Sequence, residues 1–158
     1  METLEKKSAI IAGDDKQIKT LYTATVTATG GRNGQVKSSD GVLNLEVRTP
    51  KSMGGNQDGF TNPEQLFAAG YSACFGSALD LIIKREKIKT GTTSVRAEVS
   101  LLENNNGGFM LGVNLHINVP GITQPQADEL AHKAHLVCPY SNATRGNIDV
   151  KLYPTNNN

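Results

Sequence analysis

Residues 61–88 read TNPEQLFAAGYSACFGSALDLIIKREKI, and this stretch decides the fold. It opens with helix-start chemistry. Asn62 can cap, Pro63 suits the first helical position, and Gln65 stands three residues after the cap. Across residues 66–83 nearly every side chain is apolar or small, and Asp80 is the only charge; Lys84-Arg85-Glu86-Lys87 then returns the chain to water. A helix that is apolar on every side is buried on every side. One small sheet cannot cover it, so burial alone predicts a homodimer in which two such helices pack together. Cys74 lies near the middle, with Gly70, Tyr71, Ser77 and Ala78 at neighbouring helical positions.

Before this helix the chain reads as strands. Residues 21–29 alternate Tyr22, Ala24, Val26 and Ala28 against threonines, which is strand period. Gly30-Gly31-Arg32-Asn33-Gly34 is a turn, 35–38 a short strand, Asp40-Gly41 a hairpin signal and 42–48 a third strand. Residues 1–18 are charged and lack a period; they read as an N-terminal extension with room for a short strand at 9–12. Residues 19–158 form a single domain.

After the helix, residues 95–102 alternate again, and 109–119 place Phe109, Leu111, Val113, Leu115, Ile117 and Val119 on one face. Thr123 and Gln126 make a capping box for a helix over 125–137, whose apolar face is Ala127, Leu130, Ala131, Ala134 and Val137-Cys138. Pro139 forbids a simple continuation. Residues 142–146 read as a turn or helical fragment and 148–153 as a last strand. The expected class is α+β, order βββα–ββαβ, with antiparallel sheets around a long buried central helix.

Composition excludes several functions. Net charge is +1, Lys and Arg are dispersed among acidic residues, and Trp is absent. That argues against a nucleic-acid partner, which needs a basic face or stacking platforms. The 66–83 run is long enough to raise a membrane reading. Its Asp80, two glycines and two serines favour a buried helix in a chain without a membrane span. No export signal is visible, so a cytoplasmic location is expected. There a cysteine pair that bonds is catalytic rather than a static staple.

The chain has two cysteines, Cys74 and Cys138, and three histidines. Taken alone, Cys74 reads as a small core residue. Cys138 stands at a helix end before Pro139 and Tyr140, where a change of direction can re-aim a side chain; spacing does not show whether the two meet. His116 shares its strand face with Asn114 and Asn118 and reads as solvated. His132 and His135, with Glu129 a turn earlier, resemble half a metal site, but no third ligand follows at metal spacing, so no metal is expected. No nucleophile elbow or phosphate loop is present. Arg32 in its turn reads as a solvated arginine, and Glu64 as a carboxylate complementing the helix dipole.

Three separated motifs together carry more. GGRNG at 30–34, DGFTNPEQLFAAGYSACF at 58–75 and VCPYSNATRGNIDV at 137–150 resemble the organic hydroperoxide resistance (Ohr) proteins of the OsmC/Ohr superfamily, over roughly 19–153. The resemblance implies an intertwined homodimer and a cysteine-based peroxidase for organic hydroperoxides. It implies no bound metal or organic cofactor, and recycling by an external dithiol of the lipoyl (dihydrolipoamide) type, free or on a lipoylated protein. It makes Cys74 peroxidatic and Cys138 resolving, with Arg32 and Glu64 as the polar pair that activates Cys74. An apolar surround of Phe67, Tyr71 and Phe75 would favour greasy peroxides. An OsmC-like peroxidase of broader range, or a non-enzymatic domain binding apolar ligands, are the alternatives.

Physical chemistry agrees with these roles. The thiolate is the nucleophile, and an ordinary thiol is only a few per cent ionised at neutral pH. Cys74 lies about 16 Å from Pro63, too deep to use the dipole of its own helix. An apolar site raises its pKa further, so a cation is required, and a guanidinium stays charged when partly buried. One geometric difficulty follows. Glu64 and Cys74 are about 15 Å apart along a straight helix. Either the helix breaks near Gly70, or Arg32 spans the gap, or Glu64 serves from the other subunit.

Overall fold

A computed structural model describes residues 18–56 and 58–158. The strand considered at 9–12, and all but the last residue of the 1–18 extension, lie outside the described residues. Strands β1 (Val26–Thr29), β2 (Gly34–Ser38) and β3 (Asn44–Val47) form the expected antiparallel meander. β1 is shorter than the alternating run because β2 ends at Ser38, leaving residues before Val26 no strand to pair with. The glycine-rich turn between β1 and β2 tightens into a 3-10 turn, Gly31–Asn33. Gly30 enters it at φ 77°, and a Cβ on Gly34 would sit 1.7 Å from the Thr29 carbonyl oxygen. Only glycine fits either position, and Arg32 is held between them.

Helix α1 (Pro63–Glu86) runs unbroken for 24 residues. Its start is as predicted: Asn62 Oδ1 accepts the Gln65 N–H at 2.8 Å, and Pro63 follows the cap. By length and composition α1 could cross a membrane. It packs instead on β4 (Ser94–Glu103) and on α2 (Gln124–Val137), burying Tyr71, Phe75, Ala78, Leu79, Ile82 and Ile83. Each large apolar side chain fully buried there stabilises the fold by about 1.5–3 kcal/mol. The opposite face, with Ala69, Ala73, Ser77, Asp80 and Leu81, is exposed in the single chain. The expectation of burial on all sides therefore fails within one chain, because a three-stranded sheet and one helix reach only one side.

The second sheet departs from the antiparallel expectation. β5 (Phe109–Asn118) pairs antiparallel with β4, but β6 (Val150–Thr155) pairs parallel with β5. Between them the chain crosses back through α2 and α3 (Pro139–Thr144), and such a crossover is what a parallel pair requires. α3 also adds one element to the order expected. Val113, Leu115, Ile117 and Val119 point into the core, whereas Phe109 is exposed. Thr123 and Gln126 form both bonds of their capping box, and α2 buries Ala127, Leu130, Ala131 and Ala134; Val137, expected on that face, is exposed.

Candidate active site

Cys138 is the hinge of the site. α2 ends at Val137, Cys138 is extended (φ −64°, ψ 124°), and α3 starts at Pro139, which cannot supply an N–H to prolong α2. This break turns the Cys138 side chain into the core, where it is fully buried. There it meets the half-buried Cys74 of α1. The two Sγ atoms lie 3.9 Å apart, both as free thiols, across 64 residues of sequence. The structure thus brings together the cysteines that spacing left separate.

Burial pushes the Cys74 thiol above its usual pKa. The Tyr140 backbone N–H, in the first turn of α3, donates to the sulfur and pulls the other way; the adjacent Cys138 raises it again. Within one chain the net shift is upward, away from the thiolate that is the nucleophile.

Arg32 and Glu64 also meet. The guanidinium donates to both carboxylate oxygens, Nη1 to Oε2 at 2.8 Å and Nη2 to Oε1 at 2.5 Å. This two-bond geometry is the strong form of the pair. It holds the Glu64 carboxyl below its usual range and raises the guanidinium further. Neither residue is the solitary group that a first reading suggests. Their distance from Cys74 is the unexpected part. α1 does not break near Gly70, and within the chain neither Arg32 nor Glu64 acts on the Cys74 thiol. Two of the three ways to connect them are thereby removed.

An apolar cavity of about 390 Å³ is lined by Phe67, Pro139, Tyr140, Ala143, Thr144 and Ile148, of which Pro139 and Tyr140 directly follow Cys138 in the chain. Of the three aromatic residues expected around the site, Phe67 lines it; Tyr71 and Phe75 are fully buried core residues instead. Tyr140 lies edge-on to Phe67 and against Gly70, where a Cβ would come within 2.6 Å of the phenol oxygen. A second cleft, of about 480 Å³, opens beside Glu64 between residues 50–53, the first turns of α1 and β4.

Two of the three histidines, His116 and His135, are less solvated than their faces suggest. His116 stacks on Tyr153 at 4.9 Å and stands 3.2 Å from Glu98. His132 is exposed. His135 is half-buried and its Nδ1 lies 2.8 Å from Ser141 Oγ. Burial, then the charges of Arg145 and His132, lower its pKa. Tyr140, Ser141 and Thr144 fall within the 137–150 motif, but no residue pattern marks their part in the site. The signal available was Pro139, which starts a new helix and so aims the next N–H groups at whatever lies before it.

Residues 54–153 match the family described as OsmC-like protein. The chain is 52% identical over 134 residues to the organic hydroperoxide resistance protein OhrA of Bacillus subtilis strain 168, covering 84% of this chain and 94% of that one. It is 50% identical over 135 residues to the organic hydroperoxide resistance protein of Xanthomonas axonopodis pv. citri, with 85% and 94% covered. Among solved structures, the organic hydroperoxide resistance protein of Elizabethkingia anophelis superposes with a TM-score of 0.85 at 64% identity, covering 89% of this chain and all of that one.

Proposed function

The chain belongs to the OsmC family, and from that premise we propose that it is a cysteine peroxidase that reduces organic hydroperoxides to alcohols in defence against oxidative stress. The observation that carries this reading is the pair of free thiols 3.9 Å apart; Pro139 and Tyr140, the two residues after Cys138, line an apolar cavity. Cys74, as thiolate, attacks the terminal peroxide oxygen; the O–O bond breaks, the alcohol leaves with a proton, and Cys74 becomes a sulfenic acid. Cys138 then condenses with it and expels water. An S–S bond is about 2 Å long, so the sulfurs need only close by about 2 Å. A small or protein-borne dithiol of the lipoyl type restores both thiols by exchange. Sulfur takes both redox steps itself, so the cycle asks for no bound metal or organic cofactor.

The test is intact mass after one equivalent of cumene hydroperoxide. Loss of two hydrogens within one chain is expected, and an unchanged mass would leave the domain a binder rather than an enzyme. Faster reaction with cumene hydroperoxide than with hydrogen peroxide is expected from the apolar lining; the reverse would favour a peroxidase of broader range.

The active unit in this reading is a homodimer. Two observations support it: the exposed face of α1, and the first sheet, whose strands β1 and β3 are exposed at every residue but Val47. Burying Ala69, Ala73 and Leu81 against a second copy removes that apolar surface from water. The Arg32–Glu64 pair then acts on the partner subunit's cysteine, the one connection left by an unbroken α1, and the cleft beside Glu64 offers the room. Light scattering at micromolar concentration is expected to give twice the chain mass; a stable, monodisperse monomer would overturn this.

A further inference from the structure

Ser141 sits one helical turn beyond Cys138 and is fully buried. Its Oγ lies 2.9 Å from Tyr71 Oη and 2.8 Å from His135 Nδ1. Tyr71 Oη is in turn 3.2 Å from Thr144 Oγ1, whose own O–H donates to the Ser141 carbonyl at 3.2 Å. Counting protons gives the chain one direction. Thr144 has spent its proton on the carbonyl, so it accepts from Tyr71. Tyr71 then accepts from Ser141, and Ser141 accepts from His135 Nδ1–H. Every hydroxyl donates once and accepts once.

This chain fixes a register. Tyr71 precedes Cys74 by three residues on α1, and Ser141 follows Cys138 by three, so Tyr71–Ser141 and Cys74–Cys138 are successive rungs between two segments of opposite direction. His135 ties the last turn of α2 to the same hub, and Arg145 Nη2 donates to the His135 carbonyl at 2.7 Å. The segment carrying Cys138 is therefore held on both sides of the break at Pro139. The other hydrogen bond described between α3 and α1 is that of the Tyr140 N–H to the Cys74 sulfur itself.

We propose that Ser141 and Tyr71 are positioning residues for disulfide closure, their hydrogen bond keeping the Cys138 sulfur in line with Cys74. The proposal rests on the peroxidase reading above. In the step concerned, the Cys138 sulfur attacks the Cys74 sulfenic sulfur, an S–S bond forms, the S–OH bond breaks, and hydroxide leaves as water with the thiol proton. Cys138 is oxidised and Cys74 reduced. A second peroxide competes for the same sulfenic acid and yields the sulfinic acid. At a fixed peroxide concentration the division between the two outcomes is the rate of closure against the rate of over-oxidation, whatever the speed of the first step. Misplacing reacting atoms by about 1 Å can cost a hundredfold.

The test uses the full chain with Ser141→Ala, Tyr71→Phe and the double variant, followed by rapid-quench intact mass over rising cumene hydroperoxide. Each single variant is expected to raise the ratio of sulfinic acid to disulfide at least about tenfold. The double variant should be no worse than Ser141→Ala, because both remove the same link. Ile117→Val, in the core away from the hub, is expected to lower the melting temperature while leaving the ratio unchanged, which separates positioning from stability. Ratios at the wild-type value in Ser141→Ala and Tyr71→Phe would overturn the proposal while the wild-type disulfide still forms. If the wild-type chain itself forms no disulfide, the peroxidase reading falls, and the proposal with it.

Discussion

Cys74→Ser is expected to abolish peroxide turnover, the largest effect of any single change. A serine hydroxyl matches the thiol in shape but stays protonated, is a weak nucleophile, and forms no sulfenic acid. The site has no substitute: Cys138 is the only other thiol in the sequence and is fully buried. Cys138→Ser is expected to behave differently. Cys74 still consumes one peroxide, but with no resolving thiol at 3.9 Å the sulfenic acid persists and climbs to sulfinic and sulfonic acid. Intact mass should show added oxygens on Cys74 in that variant and no disulfide. Multi-turnover activity of Cys74→Ser with a dithiol reductant would sink the mechanism.

Arg32→Ala is expected to slow peroxide attack at least about tenfold, equivalent to about 1.4 kcal/mol of transition-state stabilisation. The reason lies in the Cys74 thiol, which burial and Cys138 push up and only the Tyr140 N–H pulls down within one chain. In the proposed dimer a cation from the partner subunit supplies the rest, and an Arg32 held by two bonds to Glu64 is preorganised for that part. Removing it should raise the Cys74 pKa, moving the pH profile of Cys74 alkylation to higher pH. Arg32→Lys keeps the charge but loses the fork, and should recover only part of the rate. Glu64→Ala should act in the same direction and less strongly, since it removes the group that orients the charge. Mixed dimers test the route. An Arg32→Ala chain paired with a Cys74→Ser chain retains one intact combination if the pair acts across the dimer, and none if it acts within a chain. Unchanged alkylation and peroxide rates in Arg32→Ala would make Arg32 a turn residue only.

Much of the architecture was legible because it rests on local chemistry. The cap at Asn62 and Pro63, the box at Thr123 and Gln126, and the break at Pro139 each depend on groups a few residues apart. Alternation located the strands, with errors at the ends, since an end is set by where the partner strand stops. The parallel pairing of β6 was not legible: its residues alternate the same way in either direction, and the crossover that orients them includes α3, a helix one turn and a half long.

The sequence by itself determined the central helix, the thiol on it and a second thiol at a helix end, the turn that presents Arg32 and, through three motifs, the family. These are properties of composition and short spacing. Only the tertiary structure decided which of them meet. Cys74 and Cys138 come within 3.9 Å because α2 stops where Pro139 denies it a hydrogen bond, which turns one side chain inward. Arg32 and Glu64 pair because β3 bridges to Thr61, just before α1, carrying the turn to the helix start. The same unbroken helix then holds that pair about 15 Å from the thiol of its own chain. Contacts between segments dozens of residues apart follow from how sheets and helices pack, and no local pattern encodes them.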